Sequence, residues 1–154
     1  WADPRVAQLI DARDSVPEEE TAARLEREMA TQREFGVQYW PIFLRDGGDH
    51  VGCCGLRPRS SESRVYELGW QIRPPYWGQT LAAEAADRVI RFAFEQLGAA
   101  GLFAGHPPEN RTSRQLLERL GFRRTHDEWY PPTGRKHPSY FLTPDQYRAG
   151  RGDD

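Results

Sequence analysis

Polar and apolar positions change period several times along the chain, and each change marks an element. Ser15 and Glu18 have the spacing of a capping box around Pro17, and TAARLEREMATQREF continues the helical pattern. This predicts a helix of about 18 residues with an acidic first turn. After Gly36 the pattern shortens to QYWPIFLRDGGDHVGCCGLRP, two β-prone runs joined by Asp46-Gly47-Gly48-Asp49. That is a hairpin signal. SRVYELGWQIRP then alternates, with Tyr66, Leu68, Trp70 and Ile72 on one face and Val65, Glu67, Gly69, Gln71 and Arg73 on the other. The first of these faces is assigned to the core.

Pro74-Pro75 stop the third strand, and a long helical pattern follows Trp77-Gly78 as far as Gly98. Leu81, Ala85, Val89, Ala93 and Leu97 recur at helical spacing beside Ala82, Ala86, Ile90 and Phe94, one broad face suited to packing on a sheet. GLFAG is a short strand. A second helix starts at Arg111, with Leu116, Leu117 and Leu120 inward and Gly121 as its stop. FRRTHDEW and PSYFLT are two further strands across a Pro-Pro-Thr-Gly turn, and RAGRGDD reads as a frayed tail. The expected order is helix, three antiparallel strands, helix, strand, helix, two strands. This is an α/β (α+β) arrangement around one mixed sheet, a single domain over residues 1–148 with a tail at 149–154.

Composition narrows the function classes. Lys+Arg 21 against Asp+Glu 23, a net charge of −2, removes the electrostatic footprint of a dedicated nucleic-acid or membrane-surface binder. No apolar stretch approaches the roughly 20 residues needed to span a bilayer. Cys53 and Cys54 are neighbours, which disfavours an ordinary disulfide and makes a reducing, cytoplasmic setting the default. They read as small strand residues. His50, His106, His126 and His137 show no HExxH or Cys/His spacing, so no metal site is expected. The chain begins at Trp1 and its one methionine is Met29, so Trp1 is not a translation start.

The chemistry concentrates in ELGWQIRPPYWGQTLAAEA, a strand feeding a turn and a helix N-terminus. Such a turn presents unpaired N–H groups and the positive end of the helix dipole, and the small residues Gly78, Ala82 and Ala83 let a phosphate come close. It is neither a Walker A sequence nor a GxGxxG fingerprint. An ordinary strand-to-helix turn is the alternative. Glu67 lies on the face opposite the core, where it is either a solvated charge or a general base. Asn110 and Ser113 begin the second helix, as N-caps or as ligand contacts.

Two blocks carry a resemblance. The first is Glu67-Leu68-Gly69-Trp70 followed, after prolines, by Tyr76-Trp77-Gly78-Gln79-Thr80-Leu81-Ala82-Ala83-Glu84-Ala85. The second is Asn110-Arg111-Thr112-Ser113 through Leu120-Gly121-Phe122. In this order and spacing they resemble the GNAT superfamily of acetyl-CoA-dependent N-acetyltransferases, most closely its ribosomal-protein (RimJ/RimL-like) branch, as far as about Leu142.

The resemblance implies a GNAT-like fold, one mixed central β-sheet flanked by helices, with a first strand missing ahead of Trp1-Ala2-Asp3-Pro4-Arg5-Val6. Without that strand QYWPIFL is an exposed edge inviting another chain, and a homodimer is one expected outcome. The resemblance also implies acetyl-CoA as cosubstrate and a primary amine as acceptor, either a protein N-terminus or a small molecule. Trp77, Gly78, Gln79, Thr80, Leu81 and Ala82 would hold the pyrophosphate through backbone amides. Gln71, Ile72 and Arg73 would pair with the pantetheine arm, and Asn110 and Ser113 would touch CoA. Glu67 would bind and deprotonate the acceptor. His106, Tyr130 and Tyr140 are expected near it.

Two departures matter. Thr80 stands where the family's loop has its second glycine, and a β-branched residue resists positive φ. Many members carry a tyrosine five residues after Ser113, as acid to the leaving thiolate; Glu118 stands there, which leaves Ser113 or water for that role. Thr80 and Glu118 support an alternative, a GNAT-fold domain that binds CoA or another ligand without turnover. A thiol-dependent enzyme using Cys53 or Cys54 is a third class, without a basic neighbour in sequence to support it.

Overall fold

The computed structural model describes residues 1–11, 16–60 and 62–152. Five helices, α1 (Pro4–Asp11), α2 (Glu18–Phe35), α3 (Leu81–Glu95), α4 (Arg111–Arg119) and α5 (Pro144–Arg151), surround six strands. The strands are β1 (Tyr39–Phe43), β2 (His50–Ser60), β3 (Val65–Ile72), β4 (Gly101–Gly105), β5 (Arg123–Tyr130) and β6 (Arg135–Leu142). They form one sheet in the order β1-β2-β3-β4-β6-β5, in which only the β3–β4 contact is parallel.

The helix expected before Gly36 is α2. Ser15 lies outside the described residues. Pro17 occupies the N-cap position, three glutamates fill the first turn, and Gly36 (φ 71) ends the helix with its N–H on the Gln32 carbonyl. The expected hairpin is β1–β2, and the alternating segment is β3, antiparallel to β2. Two helices were not anticipated. In α1, Asp3 accepts from the Arg5 N–H at 2.9 Å and Pro4 takes the first helical position. In α5, Thr143 and Gln146 form a capping box, so residues 149–151 close a helix where a frayed tail was expected. Arg151 is tied to Asp87 of α3.

The core lies between one sheet face and α3 and α4. Leu56, Leu68, Leu102, Ala104, Tyr140 and Leu142 from the strands meet Ala86, Val89, Ile90 and Ala93 of α3 and Leu117 of α4. Leu68 is the most buried β3 residue of the face assigned to the core, and Tyr66 and Trp70 pack against the same cluster. The opposite face mixes buried Tyr39, Cys53 and Phe103 with the charged Arg57, Arg59 and Glu67, and α2 reaches it through Glu28.

The free edge of the sheet at β1 is where the sequence places it. Its neighbours Gln38 and Leu44 bond toward β2, through Leu56 N–H to the Gln38 carbonyl and Leu44 N–H to the Asp49 carbonyl. The odd-numbered residues therefore turn their peptide groups outward. Of these, Tyr39 gives its N–H to Glu28 Oε2 at 2.9 Å, and Pro41 has no N–H to give.

On β2, Gly55 passes so close to the chain entering β1 that a Cβ would stand 1.8 Å from the Gln38 carbonyl oxygen. No side-chain movement relieves a clash with backbone. Gly55→Ala is expected to cost about 3 kcal/mol of unfolding free energy in urea denaturation, the upper end of the usual overpacking penalty.

Candidate active site

Parallel pairing between β3 and β4 runs through Val65 and Gly101, Tyr66 and Leu102, and Glu67 and Phe103, and stops there. Beyond this row β3 continues to Ile72 against β2, and β4 continues to Gly105 against β6. The sheet therefore splits past Glu67. Because the two strands are parallel, both point to the same end of the split, and the helices that follow them, α3 and α4, present their N-termini there.

Backbone alternation decides which peptide groups face the split. Arg73 donates its N–H to the Val51 carbonyl at 2.8 Å, so the odd-numbered residues of β3 bond toward β2. Leu68, Trp70 and Ile72 consequently turn theirs toward the opening. Of the expected pantetheine partners, Ile72 has this orientation, but Arg73 and Gln71 do not. The Arg73 guanidinium also reaches back to the His50 carbonyl at 2.7 Å, and the Gln71 side chain accepts from Cys53 Sγ at 3.7 Å. Trp70 was overlooked because its ring belongs to the core face; only the backbone phase marks it.

The turn into α3 is tied down by Trp77, whose Nε1 donates to the Ile72 carbonyl at 2.7 Å. Positive φ falls on Gly78 (74°), whereas Thr80 is the N-cap of α3 at φ −79°, ψ 3°. Thr80 therefore needs no left-handed backbone, which answers the conformational part of the objection to threonine at this position. Its hydroxyl makes no capping hydrogen bond. Gly78 and Gln79 are exposed, and the first N–H groups of α3, at Leu81, Ala82 and Ala83, have no acceptor within the helix. At α4, Asn110 Oδ1 accepts from Ser113 N–H at 3.0 Å. Capping is therefore what the Asn110 oxygen does, and Ser113 is half-buried beside it. Glu118 is paired with Arg114 at 2.9 Å.

Glu67 lies at the foot of the split on the face opposite the core. Its neighbour Gly69 has no room for a side chain, because a Cβ would stand 2.1 Å from the Tyr39 hydroxyl. Tyr39, which nothing in the sequence pattern singled out, thereby covers the strand between Glu67 and Gln71. Arg57 lies over the Tyr39 ring at 4.3 Å and is bound by Glu28, which is only 3% exposed. Arg59 lies 4.0 Å from Glu67 and 2.6 Å from Glu128 of β5, and His126 Nε2 is 3.4 Å from the same Glu128 oxygen. Burial in this recess pushes the Glu67 carboxyl above its ordinary range, against the pull of Arg59 and Arg57. An open groove of about 520 Å³ flanks the recess, with Arg57, Pro58 and Arg59 on one wall and Thr31 and Phe35 of α2 on the other.

Other residues expected at an acceptor are placed differently. His106 and Tyr140 are 4% and 1% exposed, with His106 Nε2 3.4 Å from the Tyr140 hydroxyl, so neither offers open surface to a substrate. The alternation that puts Tyr140 opposite Ala104 turns it into the core. Tyr130 is half-buried at the end of the β5–β6 hairpin, its ring 4.6 Å from that of His137. Cys53 and Cys54 are free and buried, and burial raises both thiols, the opposite of what a nucleophilic cysteine needs. Among the described residues no group of three or more His, Cys, Asp or Glu side chains could hold a metal ion. Among the described residues no helix is long and apolar enough to cross a membrane.

Residues 1–123 match the acetyltransferase (GNAT) domain family, and the chain belongs to that family. The crystal structure of a GNAT-family acetyltransferase from Bacillus anthracis superposes with a TM-score of 0.78 over 92% of this chain and 83% of that one, at 23% identity. The uncharacterized N-acetyltransferase YoaA of Bacillus subtilis (strain 168) is 29% identical over 93 residues, 60% of this chain and 52% of that protein. FsC-acetyl coenzyme A-N(2)-transacetylase of Aspergillus fumigatus is 34% identical over 83 residues, 50% of this chain and 34% of that protein. The chain thus spans about half the length of the first of these relatives and a third of the second.

Two stability measurements probe the face opposite the core. Glu28→Ala leaves the Tyr39 N–H and Arg57 without their partner. With the Arg57 side chain 42% exposed, and so partly solvated, the expected loss is about 2 kcal/mol in urea denaturation. Glu67 behaves oppositely. Its carboxyl is raised in the folded chain, so it holds its proton more tightly there than when unfolded. The cost to stability is absent below the unfolded value near 4.3 and grows as pH rises through the folded one. Glu67→Gln is therefore expected to be at least as stable as wild type at pH 7, with the difference vanishing near pH 3.

Proposed function

We propose that this chain transfers the acetyl group of acetyl-CoA to a primary amine, by direct attack in a ternary complex. The observation that carries the reading is the β3–β4 split, with Glu67 at its foot and the N-termini of α3 and α4 at its mouth. Acetyl-CoA supplies the activated acyl carbon. The peptide groups of Trp70 and Ile72 suit the amide-bearing pantetheine arm, and the N–H groups from Gly78 to Ala82 suit the pyrophosphate. Asn110, with its oxygen engaged by Ser113, keeps its amide NH₂ for CoA. Glu67 takes a proton from the incoming ammonium, directly or through water, since only the neutral amine attacks the thioester carbonyl. The C–N bond forms and the C–S bond breaks, and the proton shed by the attacking nitrogen passes through Ser113 or water to the departing sulfur.

The acceptor that best fits the motifs is a protein N-terminal amine, as in the ribosomal-protein branch they resemble, ahead of a small amine. Two buried free thiols support a reducing, cytoplasmic setting. The second reading, a CoA-binding domain without turnover, rests on Glu118, whose ion pair with Arg114 makes it a poor substitute for a phenol. The backbone of Thr80, free of positive φ, lends it no support.

Release of CoA thiol from acetyl-CoA in the presence of peptides with free N-termini and of small amines separates the two. Wild type is expected to turn over and Glu67→Gln to retain CoA affinity while losing about 100-fold or more in kcat. Saturable CoA binding with no thiol released by any amine would establish the second reading instead.

A further inference from the structure

We propose that Arg59 is a positioning residue for Glu67: it spans the foot of the β3–β4 split, clamped to Glu128 and Phe103, and keeps the Glu67 carboxylate ionised without itself occupying its lone pairs. This inference rests on the reading of Glu67 as the base. Arg59 starts on β2 and Glu128 on β5, the far edge of the sheet, with β3, β4 and β6 between them, and the two side chains meet above the intervening strands. Its guanidinium carbon lies 3.4 Å from the centroid of the Phe103 ring. Phe103 is the partner of Glu67 in the last paired row before the strands part. One edge of the planar group is held by Glu128 at 2.6 Å and its face by the ring, so Nη1 is left toward Glu67 at 4.0 Å.

That distance carries the argument. It is too long for a hydrogen bond, so Arg59 itself occupies no lone pair of Glu67. It is short enough for a full cationic charge to favour the ionised carboxylate against its burial. A direct fork on Glu67 would make it a poor proton acceptor, and removal of the cation would leave Glu67 and Glu128 as like charges across the split. Arg57, the other cation on β2, is engaged by the buried Glu28 of α2 and lies over Tyr39 of β1. His126 of β5 approaches Glu128. Arg59 is thus the cation whose open edge faces the base.

The test is the protonation midpoint of Glu67, followed by carbon-13 NMR in glutamate-labelled full-length chain, with Glu67→Gln to assign the resonance. Arg59→Gln is expected to raise the midpoint by about one pH unit, the lower end of the effect of a counter-charge at this range. Arg59→Lys, which keeps the charge, is expected to return most of that shift. Arg59→Met serves if the glutamine variant does not fold, and carries the same expectation. An unchanged or lowered midpoint in a folded Arg59→Gln or Arg59→Met chain would overturn the proposal, as would a lysine variant shifted as far as the neutral ones. The measurement needs no acceptor, so it fails or succeeds independently of acetyl transfer; turnover unaffected by Glu67→Gln would remove the base while leaving the midpoint readable.

Discussion

Pairing between β3 and β4 ends after three rows, and the functional geometry follows from that early stop. A longer ladder would satisfy the backbone of Leu68, Trp70 and Ile72 and close the sheet. Instead these peptide groups remain directed into the opening, where the Ile72 carbonyl is met by the Trp77 ring N–H. Parallel direction then does the rest: it brings the ends of both strands, and so both following helices, to one place. Two helix N-termini and an unpaired strand edge become neighbours without any long-range contact designed for the purpose.

The two faces of the sheet divide the labour. The core face is filled by α3 and α4 and holds the split open by packing. The other face carries a chain of alternating charges, Glu28, Arg57, Glu67, Arg59 and Glu128, drawn from α2, β2, β3 and β5. Only Glu28 is almost fully enclosed, and it is also the one that binds a backbone N–H. Its role is structural, whereas Glu67 is raised by burial yet remains partly accessible, at a cost to stability that no backbone contact among the described residues offsets.

Much of this was legible in the amino-acid sequence. Strict alternation in β3 separated Glu67 from the core, and the Asp46–Asp49 turn marked the hairpin. The helices that escaped, α1 and α5, are short and weakly apolar, but Asp3-Pro4 and Thr143-Pro144 with Gln146 were local start signals for both. At the site, residue type proved a weaker guide than backbone phase. Arg73 and Gln71 lie in the expected stretch but bond toward β2, and Trp70 was hidden by its apolar ring. The backbone strain expected at Thr80 falls elsewhere, because a glycine in a related loop need not mark the position that requires positive φ; here Gly78 does. His106 and Tyr140 could be placed only by the β4–β6 register, a long-range pairing absent from local pattern.

The Tyr39–Glu28 hydrogen bond has a consequence for how chains of this protein meet. A strand added to β1 would need donors and acceptors in turn along the rail it joins. At Tyr39 the donor is already committed to Glu28, and at Pro41 none exists, so the rail offers mainly carbonyls. Chain-to-chain zippering through this border would have to proceed on half the usual hydrogen bonds, or first pull a buried carboxylate from its arginine. The same contact that anchors α2 to the sheet thus discourages the sheet from growing.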